Sequence, residues 1–435
     1  MNPWRRLLLG VLIGAGILAG CGDGGGTTPG PQVLRYRRFA NAPAGQTITD
    51  VLAAAPVAGQ MFVIFTTDTG DVYGTIGPGL ATAATAPQRL LDLAPGTAVT
   101  ADAAEVRLGR VAFVLAADNT LHAGVWTVLP TSTTQYTFGP VVEVSAGDDL
   151  PALGDVDLIA EPSFARAFLV YTTTDDPDVT ADPRVQLRVV GLDGLIDGIP
   201  RPVSLAASTP GVPGEFALST TTRWSGEILG GFVGPGGDVR ILLGQQSEAG
   251  TQLGTPAVRT IAAGRLNPVE GVNVFDPVRI TSHTFFPPPE VEPCDEGDGL
   301  FHRDEWLVSP HAGTLLAITE VTERKFNCPT DPDQLLFEGT RWVIASPDHN
   351  RLVFDERPLA VVNGADDQLF VLSDDGEQIN AFNADTLASL GRLEIDGAPS
   401  SLEVDHLVGI GGENVQLIRL VGHTGDAIWV AESGV

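Results

Sequence analysis

Short runs of apolar residues, many of them β-branched or aromatic, recur along the length of this chain. Gly, Asp and Pro bound the runs, and each is too short for a buried helix, so each predicts a buried β-strand. The runs are Met61–Phe65, Val111–Leu115, Ala167–Tyr171, Ile228–Val233, Leu315–Ile318, Leu369–Leu372 and Leu407–Ile410. The pattern therefore predicts an all-β protein.

A polar turn and a second strand follow several of these runs. Met61–Phe65 leads through a turn rich in Thr, Asp and Gly to Val72–Ile76. Val111–Leu115 leads through an Asp-Asn turn to Leu121–Trp126. The runs begin roughly 40 to 60 residues apart, with one wider gap before Leu315, and such a period is typical of β-propeller blades.

The clearest repeat unit lies within Asp367–Asp405. Its expected strands are Gln368–Ser373, Gln378–Phe382, Leu390–Ile395 and Ser401–Val404, and its turns are Asp374-Asp375-Gly376, Asn383-Ala384-Asp385-Thr386 and Asp396-Gly397-Ala398-Pro399. In this order of strands and turns the unit resembles the YVTN-type β-propeller repeat. The resemblance covers less than a tenth of the chain, and it implies blades of four strands.

These patterns predict one β-propeller of about seven four-stranded blades in residues 33–435. A ring of sheets removes its open edges only by closing on itself. Val33–Ala40 or Thr47–Leu52 is therefore expected to complete a blade begun by Val415–Val421 and Ala427–Ala431. The alternative architecture is a series of tandem β-sandwich domains.

Composition fits a large folded body rich in turns. Of 435 residues, 43% are hydrophobic and 18% are charged, and 51 are Gly and 32 are Pro. This content excludes disorder for the bulk of the chain. The formal net charge of −29 repels nucleic acid and anionic lipid headgroups, so nucleic acid is not an expected partner.

The N-terminal segment indicates export. Arg5 and Arg6 precede an uncharged apolar run over Leu7–Leu18, and Leu18-Ala19-Gly20-Cys21 closes the segment. This resembles the lipobox of bacterial lipoproteins, which implies a signal peptide over 1–20 and a lipid on Cys21 that attaches the protein to a membrane. A plain secretory signal or a single anchor helix is the alternative.

Residues 21–32 are rich in Gly and Pro and are expected to form a flexible tether. In lipoproteins, an aspartate directly after the acylated cysteine favours retention in the inner membrane, and here Gly22 occupies that place, with Asp23 one residue further. The resemblance therefore implies the outer membrane, with the protein facing the periplasm or the cell surface.

Two cysteines remain after Cys21, namely Cys294 and Cys328. An even pair in an exported protein predicts a disulfide. The bond would pin an insertion near residues 283–330 to the propeller. Two thiols that help to bind a metal are the alternative, although no Cys-His spacing typical of zinc accompanies them.

Two acidic segments are candidate calcium sites, because calcium binds six to eight oxygen ligands. One holds Asp175, Asp176, Asp178 and Asp182, and its alternative is a solvated turn. The other, Cys294–Glu305, superficially resembles an EF-hand loop. Cys294 stands where the first carboxylate of such a loop belongs, so a surface excursion is the expected structure there.

Evidence for catalysis in the sequence is sparse. His302, Asp304 and Glu305 could form an acid–base cluster, whereas His406 and His423 are isolated and are expected to be polar surface residues. No catalytic motif with a characteristic spacing is present. We therefore expect a binding or assembly module with a protein or surface-ligand partner and no required cofactor. The alternative is a hydrolase or lyase that acts on glycans.

The lipobox gives a direct test. Cys21→Ser should abolish lipid attachment, because acylation requires the thiol of that residue. Metabolic labelling with a fatty-acid analogue should give a labelled band for the unaltered chain and none for the variant. Undiminished label on the serine variant would rule out Cys21 as the acylated residue.

Overall fold

A computed structural model describes residues 32–433, apart from several internal segments. Residues outside the description are 1–31, 79–83, 108, 129–135, 145–152, 162–165, 175–184, 204–205, 208–214, 218–223, 234–237, 246–256, 267–272, 285–300, 303–316, 328–330, 346–350, 357, 364–367, 385, 411–416 and 434–435. Gln32–Val435 forms one compact unit. Within the described residues, no helix has the length and apolar character needed to span a bilayer.

All regular elements of the described residues are β-strands. They are β1 (Gln32–Asn41), β2 (Ile48–Val57), β3 (Gln60–Thr67), β4 (Val72–Pro78), β5 (Gln88–Leu91), β6 (Val99–Arg107), β7 (Arg110–Ala117), β8 (Thr120–Val128), β9 (Tyr136–Phe138), β10 (Val142–Glu143), β11 (Leu153–Glu161), β12 (Arg166–Thr174), β13 (Val185–Asp193), β14 (Arg201–Val203), β15 (Ala206–Ala207), β16 (Glu215–Ala217), β17 (Trp224–Val233), β18 (Asp238–Gln245), β19 (Ala257–Leu266), β20 (Asn273–Thr284), β21 (Phe301–His302), β22 (Ala317–Asn327), β23 (Asp331–Ala345), β24 (Arg351–Phe354), β25 (Ala360–Asn363), β26 (Gln368–Leu372), β27 (Gln378–Asn383), β28 (Ser389–Asp396), β29 (Glu403–Ile410), β30 (Leu417–Thr424) and β31 (Ala427–Ser433). The expected all-β class is confirmed.

The strands pair into seven blades across the described part of the chain. Blade 1 is β2–β5, blade 2 is β6–β10, blade 3 is β11–β14 with β16, blade 4 is β17–β20 with β15, blade 5 is β21–β24, blade 6 is β25–β28 and blade 7 is β29–β31 with β1. The first strands of blades 6, 7, 1, 2, 3 and 4 contact one another in that order. This succession of neighbouring first strands confirms a β-propeller, and each of the seven apolar runs contributes to a different blade.

The N-terminal strand closes the ring. β1 pairs antiparallel with β31, from Leu34 opposite Ser433 to Asn41 opposite Ala427. It therefore supplies the outer strand of blade 7, as expected for Val33–Ala40. The start of β1 also pairs in parallel with the end of β28, so blades 6 and 7 form one continuous eight-stranded sheet.

Two expectations about boundaries differ from the structure. The four strands of the Asp367–Asp405 repeat all form, but the last of them is the start of β29 and belongs to blade 7. The repeat and the blade are out of phase by one strand, because the sequence repeat does not show which strand lies innermost. Residues 283–330, expected as an insertion, contain β21 and β22 of blade 5.

The hydrophobic cores lie between neighbouring blades, and β3 shows why its sequence is continuously apolar. Met61, Val63 and Phe65 pack toward blade 7. Phe62 and Ile64 alternate with them and pack toward blade 2, where the ring of Phe62 lies 5.6 Å from that of Phe113. Both faces of the strand are therefore buried, and burial of each such side chain stabilises the fold by about 1.5–3 kcal/mol.

Several acidic residues of the sequence are used by turns between second and third strands. Thr424 donates to Asp426 at 2.7 Å, and the Ser373 hydroxyl donates to Asp375 in the corresponding turn of blade 6. In blade 1, Asp71 accepts from Gln46 at 3.0 Å and from Thr69 at 3.1 Å. These carboxylates have a structural role, as Asp and Thr commonly do in turns.

A buried ion pair joins blade 7 to blade 1. Arg419 donates from Nε to Glu432 at 2.8 Å and from a terminal nitrogen to the carbonyl of Gly59 at 3.0 Å. Both charged side chains are at most 2% exposed. Burial raises the pKa of Glu432, and the charge of Arg419 offsets part of that effect. The pair therefore depends on the presence of both partners.

Removal of one partner should be costly. Arg419→Met leaves the Glu432 carboxylate buried without its cation, and we expect a loss of about 3–5 kcal/mol in the free energy of unfolding. The double variant Arg419→Met/Glu432→Leu removes both charges and should recover most of that loss. Guanidinium chloride titration measures both, and a double variant no more stable than the single one would contradict this account.

Candidate functional site

Carboxylates recur in the first strand of four neighbouring blades. They are Asp405 on β29 of blade 7, Asp50 on β2 of blade 1, Asp102 on β6 of blade 2 and Asp157 on β11 of blade 3. We call these four residues the inner carboxylates. The strands within a blade are antiparallel, so all first strands begin at one end of the propeller. We call that end the entry face and the opposite end the exit face.

Irregular pairing accompanies these residues. The register of β29 with β30 shifts between Val404 and His406, which makes Asp405 an additional residue in the strand. A similar shift separates Ile48 from Asp50 on β2. Such β-bulges change the direction of side chains and are frequent near functional sites. The bulge places the Asp405 carboxyl beside the neighbouring strand.

Asp405 pairs with His423 of β30. The Nδ1 of His423 lies 2.9 Å from Oδ2 of Asp405, and its Nε2 lies 3.9 Å from Oε2 of Glu403. The side chains of His423 and Asp405 are each 7% exposed, whereas that of Glu403 is 76% exposed. Asp50 is also exposed. Two accessible carboxylates thus accompany a buried histidine–aspartate pair at the junction of blades 7 and 1.

Neighbouring charges and burial determine the protonation of His423 and Asp405. The hydrogen bond to Asp405 raises the pKa of His423, burial opposes this, and the charges of Asp405, Glu403 and Asp50 add to the increase. Burial raises the pKa of Asp405, and its contact with His423 offsets part of that rise. His423 therefore keeps its positive charge to higher pH than a free histidine does.

A second pair lies at the junction of blades 2 and 3. Asp102 accepts the backbone N–H groups of Ala103 and Leu158, each at 2.7 Å, and its carboxyl hydrogen-bonds to that of Asp157. Two carboxyls can share a hydrogen bond only when one is protonated. The two N–H donors stabilise the charged form of Asp102, so we assign the proton to Asp157. Burial raises the pKa of Asp157 well above its ordinary value, and the charge of Asp102 raises it further.

Polar contacts also connect the first strands of adjacent blades. His406 donates from Nε2 to the carbonyl of Val51 at 2.7 Å and so joins β29 to β2. The bond between Asp102 and Leu158 joins β6 to β11 in the same way. The inner carboxylates therefore form two separate groups, each at a contact between blades.

The histidines differ from the sequence expectation. His423 is buried and paired, and His406 bridges two blades, so neither is the polar surface residue that its isolation in sequence suggested. The inner carboxylates were also missed, although a signal exists: an Asp in Thr-Asp-Val, Ala-Asp-Ala, Val-Asp-Leu and Val-Asp-His recurs in the first strands. The recurrence becomes visible only when the blades are aligned.

The other candidate residues fall outside what can be described. Cys21, Cys294, Cys328, Asp304 and Glu305 lie outside the described residues, as do Asp175, Asp176, Asp178 and Asp182, and for His302 only the strand is described. The lipid, the disulfide and the calcium sites stay predictions. Among the residues with described side chains, no group of three or more His, Cys, Asp or Glu could hold a metal ion.

Comparison with known proteins gives no family. No family model matches the chain, and no curated protein matches it. Solved structures with a similar arrangement include the β-propeller domain of the Trilobed protease from Pyrococcus furiosus, with 7% identity, a TM-score of 0.40 and coverage of 88% of this chain and 95% of that one. A PL25 ulvan lyase aligns with 8% identity, a TM-score of 0.43 and coverage of 90% and 94%. At these scores the fold assignment rests on the strand pairing alone.

The protonated Asp157 predicts a pH dependence of stability. Its pKa in the folded protein is raised, so its favourable contribution is present below the ordinary Asp pKa and is lost as pH rises through the folded value. Asp157→Asn keeps a neutral hydrogen-bonding side chain and should therefore be more stable than the unaltered protein at pH 8, but not at pH 4. Each unit of raised pKa corresponds to about 1.4 kcal/mol.

Denaturant titration across this pH range measures the difference. Asp197→Asn, which changes an exposed Asp in a turn, serves as the matched control and should shift stability little at either pH. A constant difference between Asp157→Asn and the unaltered protein from pH 4 to pH 8 would show that Asp157 does not hold the proton.

Proposed function

We propose that this protein is an exported lipoprotein, held on a membrane through Cys21, whose β-propeller is a binding module for a positively charged partner. The partner binds at the entry face, and Asp50 and Glu403 are its first contacts. The lipobox supports the export and the anchor. The grouping of exposed carboxylates around a buried histidine at one junction of the ring supports the binding role.

The observation that carries the binding role is the contrast in exposure at the junction of blades 7 and 1. Asp405 and His423 neutralise each other in a buried pair, whereas Glu403 is mostly exposed and Asp50 is exposed. Exposed carboxylates attract cations, and the net charge of −29 strengthens that attraction. The buried Asp405–His423 pair fixes the position of the surrounding strands.

The protonation state of His423 favours a binding role over a catalytic one. A general base must be unprotonated at working pH, but the surrounding carboxylates raise the pKa of His423. Its Nδ1 is also occupied by Asp405. This geometry suits a fixed positive charge that organises carboxylates more than a residue that exchanges protons with a substrate.

A glycan hydrolase or lyase is the second candidate function. One observation favours it: carboxylates and histidines converge at one end of the ring, with Nε2 of His423 3.9 Å from Oε2 of Glu403. A charged imidazole next to an exposed carboxylate can act as a general acid. The enzyme role requires that a substrate reach His423.

The test compares two pairs of substitutions in the chain from Gly22 onward. Asp50→Asn/Glu403→Gln removes two charges from the entry face, and Asp193→Asn/Asp197→Asn removes two exposed charges from the end of β13 and the turn that follows it. With an oligolysine peptide as test ligand, the first pair should weaken binding by roughly 3- to 10-fold, consistent with about 1 kcal/mol lost. The second pair should change it little.

Equal weakening by both pairs would show that binding depends only on the net charge of the protein. That result would contradict a site at the entry face. Capture from a membrane extract then identifies the natural partner. The same proteins are incubated with a panel of glycans. Turnover that is lost on His423→Gln, or on replacement of His302, Asp304 or Glu305, would establish the enzyme role instead.

A further inference from the structure

An exposed apolar patch spans blades 2 and 3. Phe138 of β9 is 37% exposed, and Ile196 and Ile199, in the turn after β13, are 47% and 42% exposed. Exposed large apolar side chains are common singly, but a contiguous group indicates a contact surface. We call these three residues the apolar patch.

The two segments that carry the patch are in close contact. Gly139 lies so near the carbonyl of Gly198 that a Cβ there would approach its oxygen to 2.3 Å. The segment after Phe138 therefore touches the turn that carries Ile196 and Ile199. The ring of Phe138 also lies edge-on to Trp126 with centroids 4.4 Å apart. The patch is a fixed surface built on two blades.

The patch lies at the exit face. The turn 194–200 follows the third strand of blade 3, and Phe138 pairs with Trp126 near the end of β8. β1 begins at the same end, since Leu34 lies opposite Ser433, the last residue of β31. The N-terminal segment therefore enters the propeller at the exit end of blade 7, on the side that carries the apolar patch.

The length of chain before β1 limits how far the propeller can lie from its anchor. Ten residues lie between Cys21 and Gln32, and the eleven steps from one to the other, at about 3.5 Å each, span at most roughly 40 Å. The accessible carboxylates Asp50 and Glu403 lie at the other end, away from the point where this segment joins β1. Attachment through Cys21 thus favours an orientation with the exit face toward the bilayer.

We propose that the apolar patch contacts the surface of the bilayer, so that the propeller lies with its exit face on the membrane and its entry face toward the partner. The occupant of the patch is the interfacial layer of the membrane, where aromatic and aliphatic side chains insert favourably. Asp193 at the end of β13, Asp197 in the turn and Arg201 at the start of β14 are close to the patch in sequence and remain in the aqueous headgroup region. The proposal rests on the anchor of the proposed function.

Hydrogen exchange measured by mass spectrometry tests the contact. The lipidated chain is bound to phosphatidylcholine vesicles and compared with the chain from Gly22 onward in solution. Amides in 136–139 and 194–199 should exchange several-fold more slowly on vesicles, while those in the entry-face turn 373–377 should not change. Slowed exchange at 373–377 and not at the patch would overturn the orientation.

Variants separate the patch from the anchor. Ile196→Ser/Ile199→Ser should abolish the slowed exchange without touching the contact of Phe138 with Trp126, whereas Leu359→Ser, which alters a 52% exposed residue of the entry face, should preserve it. Retained slowing in Ile196→Ser/Ile199→Ser would contradict the proposal.

A second arm makes the result independent of lipidation. The chain from Gly22 onward carries an N-terminal hexahistidine tag and is captured on vesicles that contain a nickel-chelating lipid. Slowed exchange at the patch there supports the membrane contact even if fatty-acid labelling shows no lipid on Cys21, in which case the anchor alone fails. Unchanged exchange at the patch in both arms would refute the contact.

Discussion

Burial of both faces of a strand between two neighbouring sheets is the constraint on which this fold depends. The second strand of blade 1 packs Met61, Val63 and Phe65 toward blade 7 and Phe62 and Ile64 toward blade 2. Neither face can be buried inside its own blade, because a single sheet has no second layer. Each blade therefore needs a neighbour on both sides, and only a closed ring provides one for every blade.

The same constraint explains what the sequence could predict. Continuous apolar runs identify strands that are buried on both faces, and one such run lies in each blade. Two runs, Ile228–Val233 in β17 and Leu407–Ile410 in β29, lie in first strands. Other first strands were harder to recognise, because they mix small, apolar and charged residues, as in Val99–Arg107 of β6. For this reason the repeat at Asp367–Asp405 predicted four strands correctly and yet divided them between blades differently from the structure.

The candidate site illustrates a different limit. Its residues come from positions far apart in sequence, such as Asp50 and Asp405, and they meet only because blade 7 closes against blade 1. A single Asp in a strand start carries no signal by itself, since Asp also serves turns at Asp71 and Asp426. The functional meaning of these residues depends on ring closure, which local patterns do not contain.

The position of β1 has a consequence for how the protein is made. Its partner β31 lies almost four hundred residues later in the chain, so Leu34 and Ser433 can pair only after nearly the whole polypeptide has been made. Contacts of such separation form slowly, and until then blade 7 presents an unpaired strand edge. If Cys21 is acylated first, the chain completes its fold while already fixed to a membrane. Attachment then keeps the unfinished edges of neighbouring copies close together, and rapid closure becomes a requirement for avoiding aggregation.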